Sequence, residues 1–433
     1  MIKPYPNYVR SDIKWVDALP ENWKSVPFYT VASESKLSNK GMIEDNLLSL
    51  SFGRIKRKSI DTQGGLLPAS FETYQIVNEN DIIFRLTDLQ NDKRSLRSAQ
   101  CTERGIITSA YVAVTPSSIR SRYLHYLMRA YDETKVFYNL GAGMRQSLKY
   151  DELKRLPILL PPDLTQQAIE KFLDRETQRI DSLIEEKQTF ITLLKEKRQA
   201  LISHVVTKGL NPNVEMQDSG IEWIGQVPKH WNITSLKSVS TVVDPNPSHR
   251  NPEYVDNGFP FISTKEFTGI DGIELDTLRR VSEDTVIEQE KRCEFREGSI
   301  AFSRKGTIGE VRILPHHIRF ALLDSVCVIN AGDTVSYQYL YLQAKSSVYD
   351  SQLGAVVRGA ALKQVSVGKV RDLLTLCPPI DEQNQIVTYI DQQLEKLDKL
   401  VAETSTSLAL LKERRISLIS AAVTGKIDVR EAV

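Results

Sequence analysis

The clearest pattern in the chain is a seven-residue apolar ladder that occurs twice. Leu173, Ile180, Leu194 and Leu201 form one ladder; Ile390, Leu397, Leu411 and Leu418 form the other. Leu183/Ile184, Phe190/Ile191 and Leu400/Val401 flank them, and both carry a polar rung at the same place, Lys187 and Thr404. A seven-residue period puts these side chains on one stripe of a helix, the seam of a coiled coil. No Gly or Pro interrupts residues 165–208 or 381–424, and Gly209 and Gly425 supply stops. The ladders predict two helices of roughly 65 Å each at 1.5 Å per residue. Such a stripe does not stay folded while exposed. An antiparallel pair about a pseudo-twofold is the natural arrangement, because the chain crosses a whole body between the two helices. The alternative is that each helix packs only on its own body.

Outside the ladders the period changes. Residues 47–52, 81–86, 106–114, 258–262, 299–303 and 326–329 are β-branched or aromatic runs bounded by turn residues, which predicts strands. Residues 123–131 and 337–349 read as short helices, and Pro27, Pro68, Pro116, Pro245, Pro247, Pro252, Pro260 and Pro315 break the rest into loops. These bodies are also duplicated. Ser11-Asp12-Ile13-Lys14-Trp15-Val16, then Leu19-Pro20-Glu21-Asn22-Trp23, returns as Ser219-Gly220-Ile221-Glu222-Trp223-Ile224, then Val227-Pro228-Lys229-His230-Trp231, at an offset of 208 (219 − 11). Leu160-Pro161-Pro162 returns as Cys377-Pro378-Pro379 at an offset of 217 (377 − 160), and the register then holds through Leu194-Lys195-Glu196-Lys197-Arg198 and Leu411-Lys412-Glu413-Arg414-Arg415. The expected fold is α+β: two mixed α/β bodies, residues 1–157 and 211–376, joined by two long antiparallel coiled-coil helices, residues 158–210 and 377–433, the latter with a C-terminal tail.

Composition narrows the class. The 433 residues carry 56 Lys+Arg against 55 Asp+Glu and are 41% hydrophobic, as in globular domains. Cys101, Cys293, Cys327 and Cys377 are too scattered for a metal or disulfide framework and read as reduced, buried thiols of a cytosolic protein. The N-terminus lacks an apolar h-region and no window holds 18 apolar residues, so neither a signal peptide nor a membrane span is expected. Phosphate-loop, zinc-protease and clustered Cys/His motifs are missing. His316-His317 has no second ligand pair, and Gly306-Thr307-Ile308-Gly309 reads as a turn for close backbone approach. Asn251-Pro252-Glu253-Tyr254 resembles the loop that holds a flipped adenine in methyltransferases, but Glu replaces the second Pro and no glycine-rich cofactor loop precedes it.

The charge balance hides an asymmetry. Residues 1–157 carry 23 Lys+Arg against 17 Asp+Glu, and residues 217–376 carry 18 against 20. Arg54, Lys56, Arg57 and Lys58 form one run; Lys93, Arg94 and Arg97, with Arg85 and Arg104 near, form another, interleaved with Phe52, Phe84 and Tyr111. The second body offers Arg279, Arg280, Arg304, Lys305 and Arg312. Such runs on loops beside strands suit phosphate and base-edge contact. Arg145 in the loop 141–147, and Arg358 and Lys363 in the loop 358–363, sit just before the two helices and suggest backbone approach to DNA, packing turns being the other reading.

Two W…[LV]-P-x-x-W motifs, two P-P-x-x-x-Q segments (Gln166, Gln383) and two L-L-K-E-[KR]-R-x-x-L-I-S helix endings together resemble the specificity (S) subunit of type I restriction–modification systems, over residues 11 to about 426. Thr165 departs from the usual Glu, which Glu382 retains, and weakens the charge–dipole match at the first helix. The resemblance implies a non-catalytic, DNA-binding chain of a bacterial or archaeal defence system, cytoplasmic and nucleoid-associated. It implies two target recognition domains that read a bipartite, asymmetric duplex. It also implies a helical spacer, through the ladder residues, that docks two methyltransferase (M) and up to two restriction (R) subunits. No cofactor is implied on this chain: S-adenosylmethionine belongs to the M subunits, and ATP and Mg to the R subunits. An interaction scaffold without DNA and a methyltransferase-like enzyme are the competing readings.

Overall fold

The computed structural model describes residues 3–60, 68, 70–87, 89, 96–139, 147–246, 252–358 and 364–432. The chain forms two compact units: Met1–Gln188 with Thr406–Val433, and Thr189–Ser405. The unit boundaries fall inside two long helices, Asp163–Lys208 and Ile380–Val423, so each helix contributes to both units. No helix among the described residues is long and apolar enough to cross a membrane.

In the first unit a four-stranded antiparallel sheet runs in the order Ser98–Gln100, Ile82–Phe84, Val112–Pro116, Ala32–Ser35. The second unit builds an antiparallel sheet from the corresponding strands, Val311–Ile313, Ile300–Ser303, Val326–Ala331 and Ser240–Val243. A helix follows the long strand each time, Ser121–Glu133 in one and Tyr337–Ala344 in the other. A second pairing also recurs: Lys24–Pro27 with Pro157–Leu160, and Asn232–Ser235 with Leu374–Cys377, which places the strand before each long helix against the start of its own body. Two expectations are corrected. Residues 106–114 are not one strand but Gly105–Ile107 and Val112–Pro116 in different sheets, separated by a turn closed by Tyr111 N–H onto the Thr108 carbonyl. Residues 337–349 are not one helix: Ser346 breaks it, its hydroxyl donating back to the Gln343 carbonyl, and Ser347–Arg358 starts afresh.

Within each unit the two long helices run antiparallel. In the first, Tyr123 Oη donates to the Leu159 carbonyl (2.9 Å), just before the first helix, and to the Val423 carbonyl (3.4 Å), at the end of the second. Further along, Arg415 clasps Asp181 at 2.8 and 3.1 Å. In the second unit Tyr339 reaches the Val206 carbonyl (3.3 Å), while Arg198 approaches Asp398 (3.6 Å). Leu173, Ile180, Leu194, Ile390 and Leu397 are buried, but Leu201, Leu411 and Leu418 are half-buried. Their neighbours Ile202 and Ile419 take the deep positions. A straight helix rotates about 20° per heptad relative to a strict seven-residue repeat, so the buried stripe moves one residue on. Phe190 and Leu400, expected in the seam, are exposed.

Each helix start is fastened by a buried glutamine. Gln166 Nε2 donates to the Pro161 carbonyl (2.9 Å), and its Oε1 accepts from Arg120 N–H (3.0 Å) at the start of the body helix. Gln383 Nε2 donates to the carbonyls of Pro378 (2.9 Å) and Thr334 (3.0 Å), and its Oε1 accepts from Ser336 N–H (2.8 Å). Replacing either by Leu strands buried donors and acceptors, each costing roughly 1–3 kcal/mol. Gln383→Leu, with three bonds lost, is expected to destabilise the chain more than Gln166→Leu, with two. Urea unfolding of both variants measures this, and equal midpoints would contradict it.

Candidate functional site

The helix ends show what the duplicated Trp motif does. Gly209 and Gly425 follow the two long helices with φ +73° each, the left-handed cap that glycine adopts without strain. Trp231 lies against Gly209 and Trp23 against Gly425, so a Cβ at either glycine would stand 3.3 or 3.5 Å from an indole ring. Each body thus seats the end of one long helix on its Trp and holds the start of the other through its Gln. Glu382 completes this in the second unit: Trp231 Nε1 donates to it at 3.1 Å and His230 Nε2 lies 2.7 Å away. Thr165 stands at the matching position of the first unit, and the buried Nε1–H of Trp23, beside Tyr5, finds no hydrogen-bond partner of good geometry.

Above this frame the two bodies diverge. In the first, Leu48–Ser51 and Arg54–Arg57 form a hairpin whose two-residue turn is Phe52-Gly53. Arg54, Lys56, Arg57 and Lys58 are all exposed along it. Arg57 Nε is held by Glu103 at 2.7 and 2.8 Å, which props the strand. The tip leans on the body helix, where Arg129 Nη2 donates to the Gly53 carbonyl (2.7 Å) and the Ser98 carbonyl (3.2 Å). Below it opens a groove of 1140 Å³ whose charged lining is Arg54, Arg122, Arg129, Lys412 and Arg415 against Asp174, Asp181 and Glu185. His125 lines it too; burial, reinforced by Arg129, Arg122 and Arg415, holds its imidazole well below the usual range.

In the second body the five cations singled out from the sequence are buried or half-buried, while Lys265, Lys291, Arg292 and Arg296 stay exposed. Arg304 is buried against Asp244 (2.8 Å) and the Asp324 carbonyl (2.6 Å). Arg312 is buried, donating to the carbonyls of Gly272 and Gly269 (3.1 Å each) with its guanidinium over Phe267. Arg279 is held by Glu266 and Ser263, Arg280 by Asp276 and the Gly258 carbonyl, and Lys305 by Asp324. Lys345, at the helix position corresponding to Arg129, binds Asp271 of the hairpin Phe267–Thr268/Gly272–Ile273. Burial alone would raise the Asp271 carboxyl, but hydrogen bonds from Lys345 and Tyr341 outweigh it and hold it below the ordinary range.

The basic surface expected from the sequence is therefore corrected in part. Arg97 is fully buried: its Nη1 donates to the Thr87 carbonyl (3.0 Å), and its guanidinium faces Tyr138. Arg304 and Arg312 are likewise internal, because each neutralises an acid or carbonyls of its own body. Arg85 is half-buried beside Arg97 on the sheet edge. Lys93, Arg94, Arg145 and Lys363 lie outside the described residues, as do Asn251 and the side chain of Arg358. Among the described residues no group of three His, Cys, Asp or Glu is placed to hold a metal ion.

Two variants test these contacts. Thr165→Glu should give Trp23 the partner that Glu382 gives Trp231 and raise stability by about 1 kcal/mol, read as a higher melting temperature; an unchanged one would show that the two helix starts are not equivalent. Asp132 accepts from Arg97 N–H, and burial pushes its carboxyl up to about 6. It then holds its proton in the folded state between roughly pH 4 and 6, so its contribution falls as pH rises through that window, by about 3 kcal/mol in all. Asp132→Asn should flatten the stability–pH curve there; parallel curves for the two proteins would refute this.

Residues 228–409 match the profile of the type I restriction modification DNA specificity domain. The chain is similar to the type I restriction enzyme EcoBI specificity subunit of Escherichia coli, with 21% identity over 350 residues, 76% of this chain and 71% of that one. It is also similar to the EcoDI specificity subunit of the same organism, with 17% identity over 343 residues, 73% of this chain and 72% of that one. A chain solved in a study of complex assembly and conformational transition of the type I R-M system superposes with a TM-score of 0.69 at 15% identity, covering 94% of this chain and 99% of the other. The HsdS subunit from Thermoanaerobacter tengcongensis gives 0.52 at 15% identity, over 96% and 100%. The fold is shared with both.

Proposed function

The chain belongs to the family of type I restriction–modification specificity subunits, and from that premise we propose that it reads a bipartite, asymmetric DNA target and scaffolds the subunits that act on it. One observation carries this reading. The two bodies share a sheet order, a glutamine clasp and a Trp-seated helix end, yet present different hairpins with different charge. A common frame with different reading surfaces suits two unlike half-sites.

Contact with the first half-site rests on Arg54, Lys56, Arg57 and Lys58, the exposed cations of the first hairpin. The second body has its described cations largely paired within itself, so it depends on its partners for non-specific attraction to phosphate. The long helices serve as spacer and docking surface: Phe190, Leu193 and Leu400 in one unit and Leu410 and Ile416 in the other are apolar and exposed on them. On this reading two methyltransferase subunits dock there and supply S-adenosylmethionine, restriction subunits supply ATP and Mg²⁺, and this chain contributes no catalytic group.

The test is methylation mapping in cells carrying this chain with its methyltransferase subunit. Swapping one body should change one half-site and leave the other intact. Inserting one heptad in each long helix, near Glu185 and near Leu411, should lengthen the unread gap and keep the bases; an unchanged gap would refute the spacer. Purified complex should lose affinity steeply with salt, because each phosphate contact releases counterions. Salt-independent binding, or none, would favour an interaction scaffold.

A further inference from the structure

Four described non-glycine residues of the first body have positive φ, Met42, Phe52, Asn80 and Lys135, and Phe52 is the aromatic among them. It is 74% exposed at the tip of the hairpin and has φ +46°; Gly53 beside it has φ +73°. Positive φ at both central residues is the pattern of the type I′ turn, which selects Asn-Gly or Asp-Gly. A bulky aromatic in the left-handed region is an outlier, and such strain persists where surrounding structure enforces it, as at ligand contacts. The enforcement is visible. The Gly53 carbonyl is bonded by Arg129, and a Cβ at Gly53 would fall 2.1 Å from the Arg129 guanidinium. Arg129 is itself buried. The tip is thus fixed from beneath, and the one side chain it can present is thrust into solvent.

The flanks say what it meets. Arg54, Lys56, Arg57 and Lys58 follow it along the exposed strand, so the aromatic stands at the head of a row of cations. Cations that track phosphates, with an aromatic beside them, make a base-stacking platform, and apolar side chains inserted at base steps open them.

We propose that Phe52 is a wedge that inserts between adjacent base pairs at the first half-site, while the cations of its strand hold the backbone alongside. This rests on the DNA-reading function proposed above. The corresponding hairpin tip of the second body, Gly269-Ile270-Asp271, carries no aromatic: Ile270 is exposed there, and Asp271 is drawn inward by Lys345, Tyr341 and Arg198. An aromatic wedge at this hairpin therefore belongs to the first body.

The test uses the full chain with its methyltransferase subunits and the duplex identified by methylation mapping. 2-Aminopurine is placed singly at positions of both half-sites other than the methylated adenine. With the natural chain, fluorescence should rise several-fold at one step of the first half-site and at none of the second. Phe52→Asn suits the turn better, so it should fold at least as stably while removing the ring. It should abolish that signal and weaken specific binding on the order of 10- to 100-fold, with the slope of log affinity against log salt unchanged. Phe52→Trp should keep both signal and affinity. Arg54→Gln, Lys56→Gln and Lys58→Gln should instead lower the salt slope by about one each. If the charge variants weaken binding while Phe52→Asn does not, the wedge is overturned and DNA reading stands. If neither class changes binding, DNA contact by this body falls as well, and the wedge with it.

Discussion

A helix of more than forty residues ends in carbonyls with no partner inside the helix, and every other feature of this chain depends on how those ends are met. Tyr123 donates to Val423 and Tyr339 to Val206, and an indole lies against the glycine that follows each helix. The body that receives the end of one long helix also holds, through Gln166 or Gln383, the start of the other. Each body is therefore the bracket that fixes two antiparallel helices side by side. The half-buried seam is left with less to do than a free coiled coil would require, which is consistent with Phe190, Leu193, Leu400 and Leu410 standing exposed.

Much of this was legible in the sequence because it is written twice. The stretches free of Gly and Pro, 165–208 and 381–424, end within two residues of the helices, since period and glycine stops are local signals, whereas the spacer bounds 158–210 and 377–433 are wider than the helices themselves. The Pro-Pro-x-x-x-Gln motif was visible, but its bond to Arg120 or Ser336 was not, because it joins residues some 46 positions apart. The single strand expected over 106–114 failed on a turn that Tyr111 closes without Gly or Pro. The reading surface was the least legible part. Arg97, Arg304 and Arg312 have the composition of a phosphate-binding run, yet each sits where a buried acid or carbonyl claims it, and a run of basic residues carries no record of depth. Phe52 looked like one aromatic among several until its backbone angle set it apart.

The two bodies also divide their electrostatics. In the first, the pairs Arg122–Asp174 and Arg120–Glu170 lie along the helix side, leaving the hairpin cations exposed. In the second, Glu266, Asp244, Asp324 and Asp271 each absorb a cation. Near-neutral total charge is the sum of these two conditions rather than a property of either.

The way the chain is threaded has a consequence for its synthesis. The second unit is one continuous stretch, Thr189–Ser405, whereas the first is closed by residues after Thr406. Tyr123 waits for a carbonyl 300 positions later, and Trp23 for Gly425. As the polypeptide leaves the ribosome from its N-terminal end, the first body to be made is the last to be finished. Until the second helix arrives, its buried core (Tyr123, Phe172 and Leu173 among others) lies open along the side that Ile419, Ala422 and Val423 later cover.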